Sequence, residues 1–245
     1  AGLASTGKIP VFAAIAAFVT NRNYEAFRND IAYMGQNVKI VGRNGGITYS
    51  DLGPTHYSLE DYAIIRMLPG VVVLSPQDPG EIREAAKAMI EHDGPVYMRI
   101  GGPSIPDLFP QAPFTIGEGR MIREGSRATV VTTGTITPEV VVAVQRLADD
   151  GIDVDLIGMP TVEPVDAALI RASAHRTGRV ITVEEHYTRG GLSAAVGEAL
   201  ATSGIPVHAI GLPHEHIVTG TYPGLLARYA LDAAGLDERI RLLVR

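Results

Sequence analysis

The sequence predicts an α/β protein built as two parallel-sheet domains, and three observations predict it. Short apolar, β-branched runs alternate with helically spaced segments along the chain, the order that repeated strand–helix–strand units produce. Val71-Val72-Val73-Leu74 is apolar without alternation, as in a strand covered on both faces. A stretch holding four prolines and two glycines, residues 101–113, interrupts the alternation, which then restarts.

The elements follow in order. Lys8 to Ala17 is apolar and strand-like, and Tyr24, Phe27, Ile31 and Met34 recur at helical spacing. Val38-Lys39-Ile40-Val41 is a β-branched strand. Residues 42–58, rich in Gly, Thr and Ser, read as loop. Leu59 to Met67 reads as a helix with Ser58 as its N-cap. After the strand at Val71–Leu74, Asp78-Pro79-Gly80-Glu81 opens a helix running to about Glu91, with Pro79 suited to its first turn. Val96 to Ile100 is the next strand. No helix or central strand survives the proline density at 101–113, which reads as a linker between domains 1–113 and 114–245. Beyond it, strands are expected at Ala128–Thr133, Val154–Ile157, Val180–Val183 and Val207–Ile210. Helices are expected at Pro138–Asp149, Asp166–Thr177, Leu192–Ala201, Tyr222–Tyr229 and Asp237–Leu243.

Composition narrows the function. The 245 residues carry 21 basic and 27 acidic side chains, a formal charge of −6, with 46% hydrophobic and 20% charged residues. This is ordinary globular composition and lacks the basic excess usual in a nucleic-acid binder. With no cysteine, disulfides, thiolate metal sites and a cysteine nucleophile are excluded. No apolar run reaches the roughly 18–20 residues of a membrane helix, and no secretion signal opens the chain, so a soluble, cytoplasmic protein without a membrane partner is expected. The chain opens Ala-Gly-Leu-Ala without Met, as though inside a helix already begun, and residues are expected upstream.

Ligands of open α/β sheets sit on loops beyond the carboxyl ends of strands. The loop after Val41 is long, polar and glycine-rich, and it carries His56 just before a helix. That His either meets a ligand and handles a proton or caps the helix. Phe18 stands among Ala13, Ala14, Ala16 and Ala17, a setting for a ring packed on something flat or for an ordinary core Phe. Arg22 and Arg43, at strand exits, read as anion-holding groups or as surface charges. Glu184-Glu185-His186, followed by Gly190-Gly191, reads first as structural and only second as an acid–base or metal group. His214 and His216 lack a third metal ligand. The dinucleotide, P-loop and hydrolase-elbow motifs do not occur.

Particular strings go further. Gly53-Pro54-Thr55-His56, Met67-Leu68-Pro69-Gly70, Ser75-Pro76-Gln77-Asp78 and Gly94-Pro95-Val96-Tyr97-Met98-Arg99 resemble the pyrimidine-binding domain of transketolase-type thiamine diphosphate enzymes. Met159-Pro160-Thr161-Val162-Glu163-Pro164-Val165-Asp166 and Val183-Glu184-Glu185-His186 resemble that superfamily's C-terminal domain. The whole chain is similar to the C-terminal subunit of a split transketolase. The resemblance implies thiamine diphosphate as cofactor, with its diphosphate and a divalent metal (Mg or Ca) held by a separate N-terminal subunit in an α2β2 assembly, and no metal ligand on this chain.

It further implies that Phe18, with Ile15, holds the aminopyrimidine, that His56 is catalytic near the reacting carbons, and that Arg22, Asn44 and His56 bind substrate. The family's cofactor-activating Glu would lie upstream of Ala1. Asn44 stands where the family usually has His, Leu52 where it has Asp, and Gly102 where an Arg grips a sugar phosphate. These departures imply a non-standard donor or acceptor for a two-carbon ketol transfer. The other readings are the β subunit of a 2-oxo acid dehydrogenase first component, a hybrid that loads a carrier protein, a deoxyxylulose-phosphate synthase fragment, and a non-catalytic scaffold.

Overall fold

The computed structural model describes residues 1–109 and 113–245. The first half runs β1 (Val11–Ile15), α1 (Tyr24–Ala26), β2 (Lys39–Arg43), α2 (Asp61–Ile65), β3 (Val72–Leu74), α3 (Pro79–Glu91) and β4 (Val96–Arg99). The second half runs β5 (Arg120–Arg123), β6 (Thr129–Thr132), α4 (Thr137–Asp149), β7 (Asp155–Gly158), β8 (Thr161–Glu163), α5 (Ala167–Thr177), β9 (Val180–Tyr187), α6 (Leu192–Ala199), β10 (Val207–Leu212), α7 (Tyr222–Arg228) and α8 (Ala233–Leu243). Two five-stranded sheets result, ordered β1-β2-β4-β3-β8 and β10-β9-β6-β7-β5.

The expected parallel pairing holds for four strands of each sheet, and the fifth is antiparallel: β8 against β3 and β5 against β7. β8 comes straight from β7 through Met159-Pro160, and β5 follows the linker directly. Neither was read from the sequence, because β8 has only three residues and β5 carries two arginines. β8 also carries chain from the second half into the first sheet, across the linker. Of that predicted linker, residues 110–112 lie outside the described residues, and its other residues form no helix or strand.

Three further expectations are corrected. Helix α2 begins at Asp61, and Ser58 does not cap it. Ser58 instead exchanges both backbone hydrogen bonds with Gly46, each at 3.0 Å, which keeps it extended. Strand β9 does not stop at Val183 but continues to Tyr187, so Glu184, Glu185 and His186 are inside a buried strand. The helical spacing from Tyr24 is met by α1 followed by wide π turns over Phe27–Tyr33.

Apolar layers fill both sides of the sheets. Phe27, Ile40, Tyr62, Ile65 and Val73 form one cluster of the first sheet, while Val130, Val144, Leu147, Ile181 and Ile240 join α4 and α8 to the second. Among the described residues, no helix is long and apolar enough to cross a membrane.

Candidate active site at the carboxyl edge of the first sheet

Strand β1 ends at Ile15, in register with Arg43 of β2. Ala16 and Ala17 are buried, and Phe18 opens a single π-helical turn, Phe18–Arg22. Small residues before Phe18 let the chain turn tightly and leave its ring half-buried. The Arg22 guanidinium lies 3.8 Å from the Phe18 ring centre, so that face takes a flat partner at stacking distance. The His56 ring is 5.1 Å from the same ring, tilted by 54°, and Tyr49 meets His56 edge-on at 5.7 Å.

His56 follows a short helical turn, Gly53–Thr55, and its Nδ1 lies 2.9 Å from Thr55 Oγ1. It therefore does not cap α2, which starts five residues later. Asn44 leaves β2 with a left-handed backbone (φ 55°), and its amide fills the space where a side chain on Gly102 would stand. The structure thus brings Phe18, Arg22 and His56 together. Asn44 stands at the neighbouring exit of β2, Ile15 lies in the strand below, and Arg43 and Leu52 are exposed.

Under this cleft lies a buried polar network that no sequence pattern announced. Arg99 reaches Asp61 Oδ1 at 3.1 Å, donates to the Glu185 carbonyl at 2.6 Å, and covers the Tyr62 ring at 4.4 Å. Tyr97 donates to Asp61 Oδ2 at 2.7 Å. Arg99 is therefore buried with both terminal nitrogens bonded inside the protein, and it does not extend a fork into the cleft. Burial raises the Tyr62 and Tyr97 phenols far above their usual range, so both remain neutral donors.

The Glu184-Glu185-His186 string has a structural place. Glu184 accepts from the backbone N–H groups of Leu192 at 2.7 Å and Ser193 at 2.9 Å, where an anion suits the start of α6. Glu185 accepts from the Ile47 N–H at 2.6 Å and from the Tyr222 hydroxyl at 2.7 Å. Burial pushes the Glu185 carboxyl upward, opposed by Arg99 and by these donors. His186 stacks on Tyr62 with ring centres 5.2 Å apart and donates through Nδ1 to the Tyr187 carbonyl at 2.7 Å. His214 and His216 are exposed, His214 standing edge-on to Tyr187. Among the described residues, no group of three or more His, Asp or Glu is placed to hold a metal ion.

This geometry defines a class: two α/β halves with an aromatic–histidine cleft at the edge of the first sheet and a buried polar seam in which an Arg99–Asp61 ion pair reaches the Glu185 carbonyl of the second half. Comparison with known proteins makes the class specific. Residues 1–105 match the family model of the transketolase pyrimidine binding domain, and residues 117–236 match that of the transketolase C-terminal domain. The chain is 37% identical over 238 residues to an apulose-4-phosphate transketolase subunit of Phocaeicola vulgatus, covering 96% of this chain and 76% of that protein. It is 35% identical over 245 residues to a putative transketolase C-terminal section of Methanocaldococcus jannaschii, covering 98% and 77%. A solved structure described as a split gene transketolase, inactive beta4 tetramer, superposes with a TM-score of 0.89 at 35% identity, covering all of this chain and 79% of that one.

The chain belongs to the transketolase family. Over nearly its whole length it is similar to the separate second subunits of split transketolases, which are enzyme components.

Proposed function

We propose that this chain is the pyrimidine-side subunit of a thiamine diphosphate-dependent enzyme that moves a two-carbon ketol unit from a ketose-type donor to an acceptor. The observation that carries the reading is the meeting of Phe18, Arg22 and His56 at the carboxyl edge of the first sheet. The residues fit the cofactor's aminopyrimidine: a half-buried ring already takes a planar group 3.8 Å from its centre, with Ile15 at the end of the strand below. When bound, thiamine diphosphate supplies the carbanion chemistry that cleaves and forms bonds next to a carbonyl. This chain's part is to hold the ring on Phe18 and to keep His56 within reach of the reacting carbons, where its imidazole gives or takes a proton. The diphosphate and a divalent metal, Mg or Ca, belong to a partner subunit in an α2β2 assembly.

The donor or acceptor differs from the common ketose phosphates. A phosphate is best gripped by a free bidentate Arg. Arg99 is committed to Asp61 and Glu185. At Gly102 the Asn44 amide stands where a side chain would go. Two relatives carry names that point the same way, the apulose-4-phosphate transketolase subunit and a 6-deoxy-6-sulfo-D-fructose transketolase subunit of Clostridium sp..

The test is a transfer assay of the chain with its diphosphate-binding partner, thiamine diphosphate and metal, across common ketose phosphates and modified ketoses. Transfer from a modified ketose is expected, with poor turnover of the common phosphates. Efficient turnover of those phosphates overturns the donor reading, and no ketol transfer from any donor overturns the function.

A further inference from the structure

Loop 44–60 carries Asn44 and His56; local turns join Leu52 and Gly53 to the Tyr49 carbonyl and His56 and Tyr57 to the Gly53 carbonyl, but backbone bonds that close the loop or tie it to the first sheet lie at its neck. Gly45 N–H donates to the Ile100 carbonyl at 3.0 Å, and Gly46 and Ser58 pair with each other. Among the described residues, every other long-range polar tie on the loop comes from the second half of the chain or from Asn21. Near the neck, Glu185 accepts from the Ile47 N–H while the Tyr222 hydroxyl holds the other carboxylate oxygen. In the middle, the Gly220 N–H donates to the Ser50 carbonyl at 3.1 Å. The Tyr57 hydroxyl sits between the Ser50 carbonyl at 3.0 Å and the Val218 carbonyl at 2.9 Å. At the far end, the Tyr187 N–H donates to the Leu59 carbonyl at 3.1 Å.

Close approach is built into the loop's glycines. A Cβ on Gly45 would collide with Arg99, one on Gly46 with Glu185, and one on Gly53 with Thr219. Gly46 and Gly53 also have left-handed backbone, φ 64° and 74°. The loop thus lies against β9 at Gly46 and against the 217–222 segment at Gly53, two points where an added side chain would collide.

We propose that the second half of the chain is a clamp for loop 44–60, with Glu185 and Tyr222 as positioning residues that fix where Asn44 and His56 stand. A fully buried carboxylate tied to a loop amide at one oxygen and to a phenol at the other has little freedom to move. Its donors come from opposite halves of the chain, so loop geometry and docking of the halves are set by one group. That Asn44 and His56 meet substrate rests on the function proposed above; the clamping of the loop does not.

The test is amide hydrogen exchange on the whole chain, comparing wild type with Tyr222→Phe, Glu185→Gln and Glu185→Leu. Tyr222→Phe removes one oxygen and is expected to speed exchange over 44–60 on the order of tenfold while the strands of both sheets keep their protection. Glu185→Gln keeps an acceptor for Ile47 and is expected to change exchange less than Glu185→Leu does. If Glu185→Leu fails to fold, Tyr222→Phe carries the test. Exchange raised evenly through both sheets, or unchanged over 44–60, overturns the clamp.

With the partner and cofactor present, Tyr222→Phe is expected to raise KM several-fold with kcat nearly kept, because a smaller fraction of the chain holds the competent loop. Looser exchange with unaltered kinetics overturns the positioning role. Absence of transfer in wild type overturns the proposed function and leaves the exchange result to decide the clamp.

Discussion

Gly46→Ala tests whether the glycines of loop 44–60 are required by side chains that arrive from elsewhere. Gly46 has φ 64°, and a new Cβ there would meet Glu185 Oε1 and the Arg99 guanidinium. Two costs follow. A left-handed backbone penalises an L side chain by about 1–2 kcal/mol. Glu185 must also retreat from the Ile47 N–H, losing a buried hydrogen bond to a charged group, which costs about 1.5–3 kcal/mol. The sum is about 2.5–5 kcal/mol.

Gly35 separates the two terms. It has φ 60°, and a Cβ there would meet nothing within 4 Å. Gly35→Ala therefore carries the backbone penalty alone, about 1–2 kcal/mol, and any effect of Ala on the unfolded chain is common to both variants. Urea unfolding followed by circular dichroism suits a chain without Trp. The account expects Gly46→Ala to cost about 2 kcal/mol more than Gly35→Ala. Equal costs would refute the reasoning, since the glycine would then be needed for its backbone alone.

Other expectations follow from the buried groups. Burial raises the Glu81 carboxyl from 4.5 to about 7. The native state then holds a proton that the unfolded chain has already lost, so stability falls as pH rises from about 4.5 to about 7. Glu81→Gln removes that slope and gains on wild type by up to about 3 kcal/mol across this window; a constant difference in urea unfolding at about pH 5 and about pH 8 contradicts it. Arg99→Met leaves Asp61 buried with, among the described residues, Tyr97 as its one side-chain partner and is expected to cost about 3–5 kcal/mol. A loss under about 1 kcal/mol, the range of an exposed pair, would mean the seam is solvated. Phe18→Ala, at a half-buried position, is expected to weaken retention of thiamine diphosphate by the complex on the order of tenfold while the circular dichroism of the chain is unchanged; calorimetric titration of the complex checks this.

Much of the fold is legible because strand and helix periods alternate cleanly. The runs at Val71–Leu74 and Val180–Val183 needed nothing beyond burial on both faces. The misses have physical causes. A three-residue edge strand such as β8 has no period to read. Glu184 and Glu185 look like the end of a strand because carboxylates seldom lie inside one; here each has two hydrogen-bond donors, those of Glu184 from the helix start just beyond the strand and those of Glu185 distant in sequence. The loop itself was visible through its glycines and its His. The reason for Gly45 and Gly46 was not, since Arg99 and Glu185 reach them only in the folded chain. Phe18 stood out among alanines, but its meeting with Arg22 and His56 is a tertiary fact, and the roles given to those residues came from the family resemblance.

The central claim is that this chain works as the pyrimidine side of a two-subunit thiamine diphosphate enzyme. Native mass spectrometry of the complex carrying this chain, isolated from its own host, tests it most directly. The account predicts an α2β2 particle containing a diphosphate-binding partner, thiamine diphosphate and a divalent metal. The chain recovered without any such partner and unable to retain thiamine diphosphate would contradict it.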